Sequence, residues 1–298
     1  MFVLSYFTTA EESLHLALSE DGVTFHAVDE GRELLRGSVG TRTLRDPFLH
    51  RTPDGVFHLL ATDRWHSPDI VHATSDDLVT WSPQHTLPVM REVPGALNAW
   101  APECFVDAEG TIRLLWSSLL SPDSADAPES WDNTPQDQRI WTATTTDFRT
   151  TSPAEVFFDP GYSVIDASVL PVRDGYLMAF KDERGDNEIR GSHKDIRTTK
   201  FTSTTGSFTS PSAPATPAPV EGPSMFRRGA HASEIVMIFD HFLEGRYSAV
   251  SSLDEGRTWS PTRVDLPEGV RHASVLDVPD DKVLTALVAR SSLATRTG

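Results

Sequence analysis

Short apolar runs bounded by turn residues recur along the whole chain. VFHLLAT from Val56, TIRLLWSS from Thr111, YLMAFKD from Tyr176 and EIVMIFD from Glu234 are too short, and too rich in β-branched or aromatic residues, for buried helices. Each reads as a strand. Ahead of each stands a tight turn, Pro53-Asp54-Gly55, Ala108-Glu109-Gly110, Arg173-Asp174-Gly175 and Arg228-Gly229, of the kind that joins hairpins. Ahead of each turn lies another short apolar strand, and that strand opens on a charged or titratable residue: Asp46 in RDPFL, Glu103 in PECFV, Asp166 in DASVL and Glu221 in EGPSMF, with His272 in HASVL as a fifth. A third strand follows each second one and ends in a Ser/Thr-Asp turn before an outer strand, as in IVHATSDDLVTW, RIWTATTTDFRT, IRGSHKDIRTT and YSAVSSLDEGRTW. Each unit therefore has four strands.

The opening residues are separated by 57, 63, 55 and 51 positions, the mark of one structural unit repeated. VLSYFTT at Val3 reads as a second strand and LHLALSEDGVTF at Leu14 as a third, with no first strand before them; the unmatched first strand is the one at His272. Joining the two ends closes a ring. The expectation is an all-β, five-bladed β-propeller over residues 1–298 as one domain, with N- and C-terminal strands sharing a blade and closure removing the exposed edges. The Pro-rich stretch Ser207–Val220 resembles an interdomain linker, but the repeat resumes in phase at Glu221, so it reads as a long connection between blades.

A formal net charge of −17 argues against nucleic acid or an anionic membrane as partner. Cys104 is the single cysteine, which excludes an internal disulfide framework and a multi-cysteine metal site. The first residues carry neither a basic segment nor a continuous apolar core, and no stretch approaches transmembrane length, so the expected location is cytoplasmic.

Chain direction locates a site. The first strands deliver their opening residues to the ring axis, where Asp46, Glu103, Asp166, Glu221 and His272 converge. Like charges gathered in a cleft raise one another's pKa, and such an arrangement suggests chemistry. The loops between second and third strands then surround the cluster: Asp63-Arg64-Trp65-His66, the long Ser118–Arg139 segment with Trp131, Asp182-Glu183-Arg184, and Asp240-His241-Phe242. The connections into the first strands add Arg45, Trp100 and Tyr162. Aromatic and acidic groups around a funnel suit a sugar, whose C–H faces pack on rings and whose hydroxyls donate to carboxylates.

RDPF at Arg45, WAPE at Trp100, IDAS at Ile165 and EGPS at Glu221, in this order, resemble glycoside hydrolase family 43, the arabinofuranosidase, arabinanase and β-xylosidase group. The resemblance covers essentially the whole chain. It implies Asp46 as general base, Asp166 as the residue that tunes and orients the acid, and Glu221 as general acid. Substrate contacts are expected from Arg45, Trp65, Trp100, Glu103, Trp131, His241 and His272. Inverting hydrolysis needs a protonated carboxyl beside the leaving oxygen and an ionised one across the sugar ring, with room for a water between them. Glu221 is accordingly expected to have a raised pKa, with a negative Asp166 as one cause. His272 resembles a histidine that some relatives place near a central cation. One histidine with scattered carboxylates is nevertheless a poor ligand set, and no cofactor is expected beyond such a structural cation.

The implied activity is exo-acting, inverting removal of a terminal pentose, α-L-arabinofuranosyl or β-D-xylosyl, from oligosaccharides. The exo mode follows from the Ser118–Arg139 segment, expected to wall one side of the funnel. Alternatives are a glycoside phosphorylase on the same scaffold, a non-catalytic sugar-binding propeller, and a fructan-cleaving enzyme, since RDP and EC occur here too; the last lacks the upstream NDPNG-like motif. Ser252–Trp259 matches the sialidase Asp-box, a structural hairpin element, and SEDGVTF at Ser19 is a degenerate copy.

Overall fold

A computed structural model describes residues 1–121, 137–185, 193–204, 206–229, 233–279 and 281–291. It contains five antiparallel sheets arranged around one axis. Blade 1 is β4 (Arg45–Arg51), β5 (Phe57–Thr62), β6 (Ile70–Ser75) and β7 (His85–Leu87), from axis to rim. Blade 2 is β8 (Trp100–Val106), β9 (Ile112–Leu119), β10 (Gln138–Thr145) and β11 (Glu155–Phe158). Blade 3 is β12 (Val164–Val172), β13 (Gly175–Asp182) and β14 (Ile196–Phe201); blade 4 is β15 (Glu221–Arg228), β16 (Glu234–His241), β17 (Arg246–Ser252) and β18 (Ser260–Thr262). The fifth blade is built from both ends of the chain. There β19 (Arg271–Asp277) pairs with β1 (Phe2–Phe7), followed by β2 (His15–Ser19) and β3 (His26–Ala27). The protein is thus a five-bladed propeller closed by its terminal strands.

The second strands are continuous apolar runs because both of their faces are buried between blades. Successive residues go to opposite seams, since side chains alternate along a strand. Leu59 packs with Leu16 and Leu18 of blade 5, whereas Leu60 packs with Leu114 and Trp116 of blade 2. Leu115 meets Met178 and Phe180, Leu177 meets Ile235 and Met237, and Val236 meets Leu4 and Tyr6. Each of the five clusters fills one seam, so adjacent blades share a core all the way round.

Blade 3 departs from the four-strand expectation. Its third strand is Ile196–Phe201, later than the IRGSHKD portion of the run suggests, and no fourth strand follows it among the described residues. Residues 207–220 cover that edge instead. Thr209, Ser212 and Ala215 donate backbone N–H groups to the carbonyls of Lys200, Thr198 and Ile196. In return, the hydroxyls of Thr209, Ser212 and Thr216 accept from the N–H groups of Lys200, Thr198 and Ile196 at 3.0, 3.0 and 2.9 Å. Side-chain oxygens can satisfy an edge in this way where intervening prolines spoil a regular ladder.

Ser/Thr-Asp turns close the rim hairpins. Asp21, Asp77, Asp147 and Asp254 each accept two backbone N–H groups through Oδ1. No helix among the described residues is long and apolar enough to cross a membrane.

Candidate active site

All five axial strands carry the same backbone irregularity. Their ladders slip between Arg45 and Phe48, Trp100 and Glu103, Ile165 and Ser168, and Glu221 and Ser224, with the counterpart slip opposite Ser5 and Phe7 in blade 5. At the slip sits a residue with positive φ: Asp46 (48°), Ala101 (47°), Asp166 (57°), Gly222 (55°) and His272 (37°). Such bulges re-aim side chains next to functional sites. Non-glycine residues adopt this conformation only at a cost the surrounding structure must meet.

These bulge residues are the equivalent positions of the ring, which corrects the alignment expected from sequence. Asp46, Asp166 and His272 do correspond. Glu221 stands one residue earlier, level with Arg45, Trp100, Ile165 and Arg271, and all five of these line a funnel of about 280 Å³. Asp46, Asp166 and His272 form its floor and also line a narrow channel beneath it. Glu103 stands two residues later than the bulge, so it lines the channel and not the funnel. There its Oε2 accepts the Val169 N–H at 3.3 Å, just as Ser168 and Ser224 accept from Met225 and Val275. Burial pushes its carboxyl up to about 8. Glu103 therefore braces blades 2 and 3 beneath the funnel.

A second tier supports the floor. The funnel-level residues pair with Thr62, Ser117, Lys181, Asp240 and Phe7 on the neighbouring strands. Thr62 Oγ1 accepts the Ala101 N–H at 2.8 Å, Ser117 Oγ the Asp166 N–H at 3.0 Å, and Asp240 Oδ2 the His272 N–H at 3.3 Å. Gly222, at φ 55°, lets the His272 ring pack close, since a Cβ there would lie 3.1 Å from the ring and press it aside by a few tenths of an ångström.

Electrostatics differ from expectation at Glu221. Burial raises its pKa, but Lys181 Nζ at 3.3 Å from Oε2 and Arg271 at 3.2 Å from Oε1, with His272 nearby, hold it below the usual carboxylate range. Asp166 is the carboxyl pushed up, to about 6, chiefly by burial and further by Glu221. His272 Nδ1 lies 3.4 Å from Asp46 Oδ1. Burial disfavours its charged form, yet Asp46, Asp166, Glu221 and Asp240 together outweigh burial and raise its pKa. Among the described residues no three His, Cys, Asp or Glu side chains are grouped so as to hold a metal ion by themselves.

The wall is aromatic on one side. Arg45 lies against the rings of Phe7 and Trp65 at 4.6 and 4.3 Å and pairs with Glu12 at 2.7 Å, so its charge is spent within the wall. Trp100 meets Trp65 edge-on and donates its Nε1–H to the Trp65 carbonyl at 3.0 Å. His241, expected among the substrate contacts, does not line the funnel: its Nε2 pairs with Ser248 Oγ at 3.0 Å. Strand alternation explains this, because Asp240 and Phe242 on either side of it face inward. Trp131 lies outside the described residues. Lys181 and Arg271 escaped the sequence reading, although a lysine inside the apolar run YLMAFKD and an arginine matching the place of Arg45 were the available signals.

Residues 1–283 match the family model described as a glycosyl hydrolase 43-related, probable glycosyl hydrolase domain. The chain belongs to this family. As a glycosyl hydrolase 43-related protein it is 26% identical over 185 residues to an alpha-L-arabinofuranosidase of Bifidobacterium longum subsp. longum, a match covering 55% of this chain and 17% of that much longer relative. Its fold is that of a thermostable family-43 glycoside hydrolase, with a TM-score of 0.61, 17% identity and 80% of each chain covered. It is equally that of an alpha-L-arabinofuranosidase from Lactobacillus brevis, with a TM-score of 0.61 and 15% identity over 83% of this chain and 81% of that one. A xylan beta-1,4-xylosidase from Bacillus halodurans aligns at a TM-score of 0.60 and 14% identity, over 80% of this chain and 47% of the other. At these identities the solved structures speak to the fold alone.

Proposed function

We propose that the protein is an inverting, exo-acting glycosidase that removes a terminal pentose, α-L-arabinofuranosyl or β-D-xylosyl, from oligosaccharides. The observation that carries this reading is the convergence of Asp46, Asp166 and Glu221, from the axial strands of three blades, on one funnel walled by Phe7, Trp65 and Trp100. Asp46, on the floor beside His272, is the base that activates water. Glu221, one level higher at the funnel wall, is the acid that protonates the leaving oxygen. Sugar binding expels water from the funnel and disfavours the ionised form of Glu221, the direction an acid needs. Asp166 orients the acid: its Oδ2 accepts the N–H of Gly222, the residue that follows Glu221, at 3.0 Å.

Hydrolysis is favoured over phosphorolysis because the two buried cations of the funnel, Lys181 and Arg271, are already matched, which leaves a phosphate only the exposed Arg64 at the funnel wall. Lys181 is paired with Glu183 and Glu221, and Arg271 with Asp240 and Glu221. A phosphate subsite needs unmatched positive charge. The exo mode rests on sequence, on the segment between β9 and β10, of which residues 122–136 lie outside the described part of the chain. A panel of p-nitrophenyl glycosides, assayed with and without inorganic phosphate, tests the reading. Phosphate-independent release from an arabinofuranoside or xyloside supports it; release from neither pentoside contradicts it. Product analysis on a linear oligomer tests the exo mode, which early di- and trisaccharides would refute.

A further inference from the structure

The position occupied by Lys181 has counterparts in the other blades at Thr62, Ser117 and Asp240, each the second-strand partner of a funnel-level residue. Those three side chains do one job: they accept the bulge N–H of the next blade. An ammonium has no lone pair and cannot do it. In blade 3 the job passes to Asp166, whose Oδ2 takes the Gly222 N–H. Lys181 is thereby released to point its charge into the site.

Its surroundings leave it two carboxylate partners. The side chain is 3% exposed, its Nζ lies 2.8 Å from Glu183 Oε2 and 3.3 Å from Glu221 Oε2, and the Phe242 ring centroid is 4.7 Å away. Lys194 holds the other oxygen of Glu183 at 2.6 Å. Arg271 bridges Glu221 Oε1 and Asp240 on the far side. Glu221 thus has a cation on each oxygen: Arg271, shared with Asp240, which is tied to the His272 N–H beneath the funnel, and Lys181, shared with Glu183, which lines the funnel itself.

We propose that Lys181 is a positioning residue of the catalytic site, shared between Glu183 and Glu221, and that this sharing sets the pH at which Glu221 carries its proton. The inference rests on the reading of Glu221 as the general acid. When Lys181 leans toward Glu183, Glu221 is free to accept a proton and turn to the leaving oxygen. When it leans toward Glu221, the carboxylate is held ionised. The other groups facing Glu221 are Arg271 and His272 from β19, Asp166 from β12 and Asp240 from β16, and the substitutions below leave them in place.

The test is the pH profile of kcat/KM on an oligosaccharide or alkyl glycoside, whose poor leaving group makes acid catalysis necessary. Lys181→Met should lower activity and move the basic limb up by about one pH unit or more, the size expected for losing a cation within contact distance. Glu183→Gln leaves Lys181 to Glu221 alone and should move the same limb down. Lys181→Arg should keep the wild-type limb. Opposite shifts in the two variants are not expected of a purely structural lysine. Profiles that coincide with wild type in Lys181→Met and Glu183→Gln, or that shift in the same direction, overturn the proposal. If Lys181→Met does not fold, the Glu183→Gln arm decides alone. Glu221→Gln serves as the separate control: full activity in that variant refutes the acid assignment itself, whereas its inactivity with unmoved limbs refutes only the role of Lys181.

Discussion

His272 Nδ1 faces Asp46 Oδ1 across 3.4 Å at the floor of the funnel, each residue held at positive φ by the same bulge in its own blade. The pair places an acceptor for a water proton next to a group whose pKa is raised by four surrounding carboxylates. Across the funnel, Glu221 sits one backbone level higher. This offset between the two carboxylates is the geometric basis of the proposed division into base and acid.

The division has a kinetic signature. Glu221→Gln should lose roughly 10²–10⁴-fold in kcat/KM on an alkyl glycoside. The loss should be much smaller on a dinitrophenyl glycoside, which leaves without protonation. Asp46→Asn should lose a similar factor on both substrates, because water must be activated in either case. Equal losses for Glu221→Gln on the two leaving groups would remove it as the acid.

Asp166 gives a prediction about stability. Its carboxyl titrates near 6 in the folded protein, above its ordinary value near 4. Between those values the native state binds the proton more tightly than the unfolded chain does, so this group's contribution to stability falls as pH rises from about 4 to 6. Asp166→Asn removes that slope while keeping an oxygen for the Gly222 N–H. Asp166→Ala also strands that N–H, at a cost of about 1–3 kcal/mol. Denaturant midpoints of the three proteins at pH 4, 5 and 6 check both statements.

A second titration acts with the opposite sign. His50, His58, His72 and His85, one from each strand of blade 1, lie against or beside Phe148 of the next blade. His58 Nδ1 and His72 Nε2 are 3.0 Å apart and share a hydrogen bond that needs one donor and one acceptor. Burial pulls His50 down to about 4 and His72 to about 3, with neighbouring His58 adding to both. Their folded pKa lies below the unfolded value near 6.5, so their contribution is complete above that pH and is lost as pH falls toward 4. His72→Gln should flatten the acid side of a melting-temperature profile between pH 6.5 and 4. An unchanged slope would show that these imidazoles do not limit acid stability.

The ring and its closure were legible in sequence because both rest on side-chain patterning: a both-faces-apolar second strand such as YLMAFKD, and an unmatched first strand at His272. The levels of the site were not. Glu221 and Glu103 look equivalent to Asp46 when apolar runs are aligned, yet the bulge puts one a residue above the floor and the other two residues below it. A bulge is a backbone event, and Ala101 at φ 47° shows that no glycine need announce it. The charge on Glu221 was likewise hidden. Its controllers, Lys181 and Arg271, come from neighbouring strands and meet it only through the pairing register. The missing outer strand of blade 3 went unseen for a related reason, since a proline-rich segment gives no strand pattern while still supplying hydroxyls to an edge.

The central claim, that Asp46 activates a water on the face opposite Glu221, is tested most directly by the anomeric configuration of the sugar first released. Proton NMR of the reaction mixture, recorded before mutarotation proceeds, should show the anomer inverted relative to the substrate. Net retention would contradict the account, because it requires a covalent intermediate on one of these carboxylates.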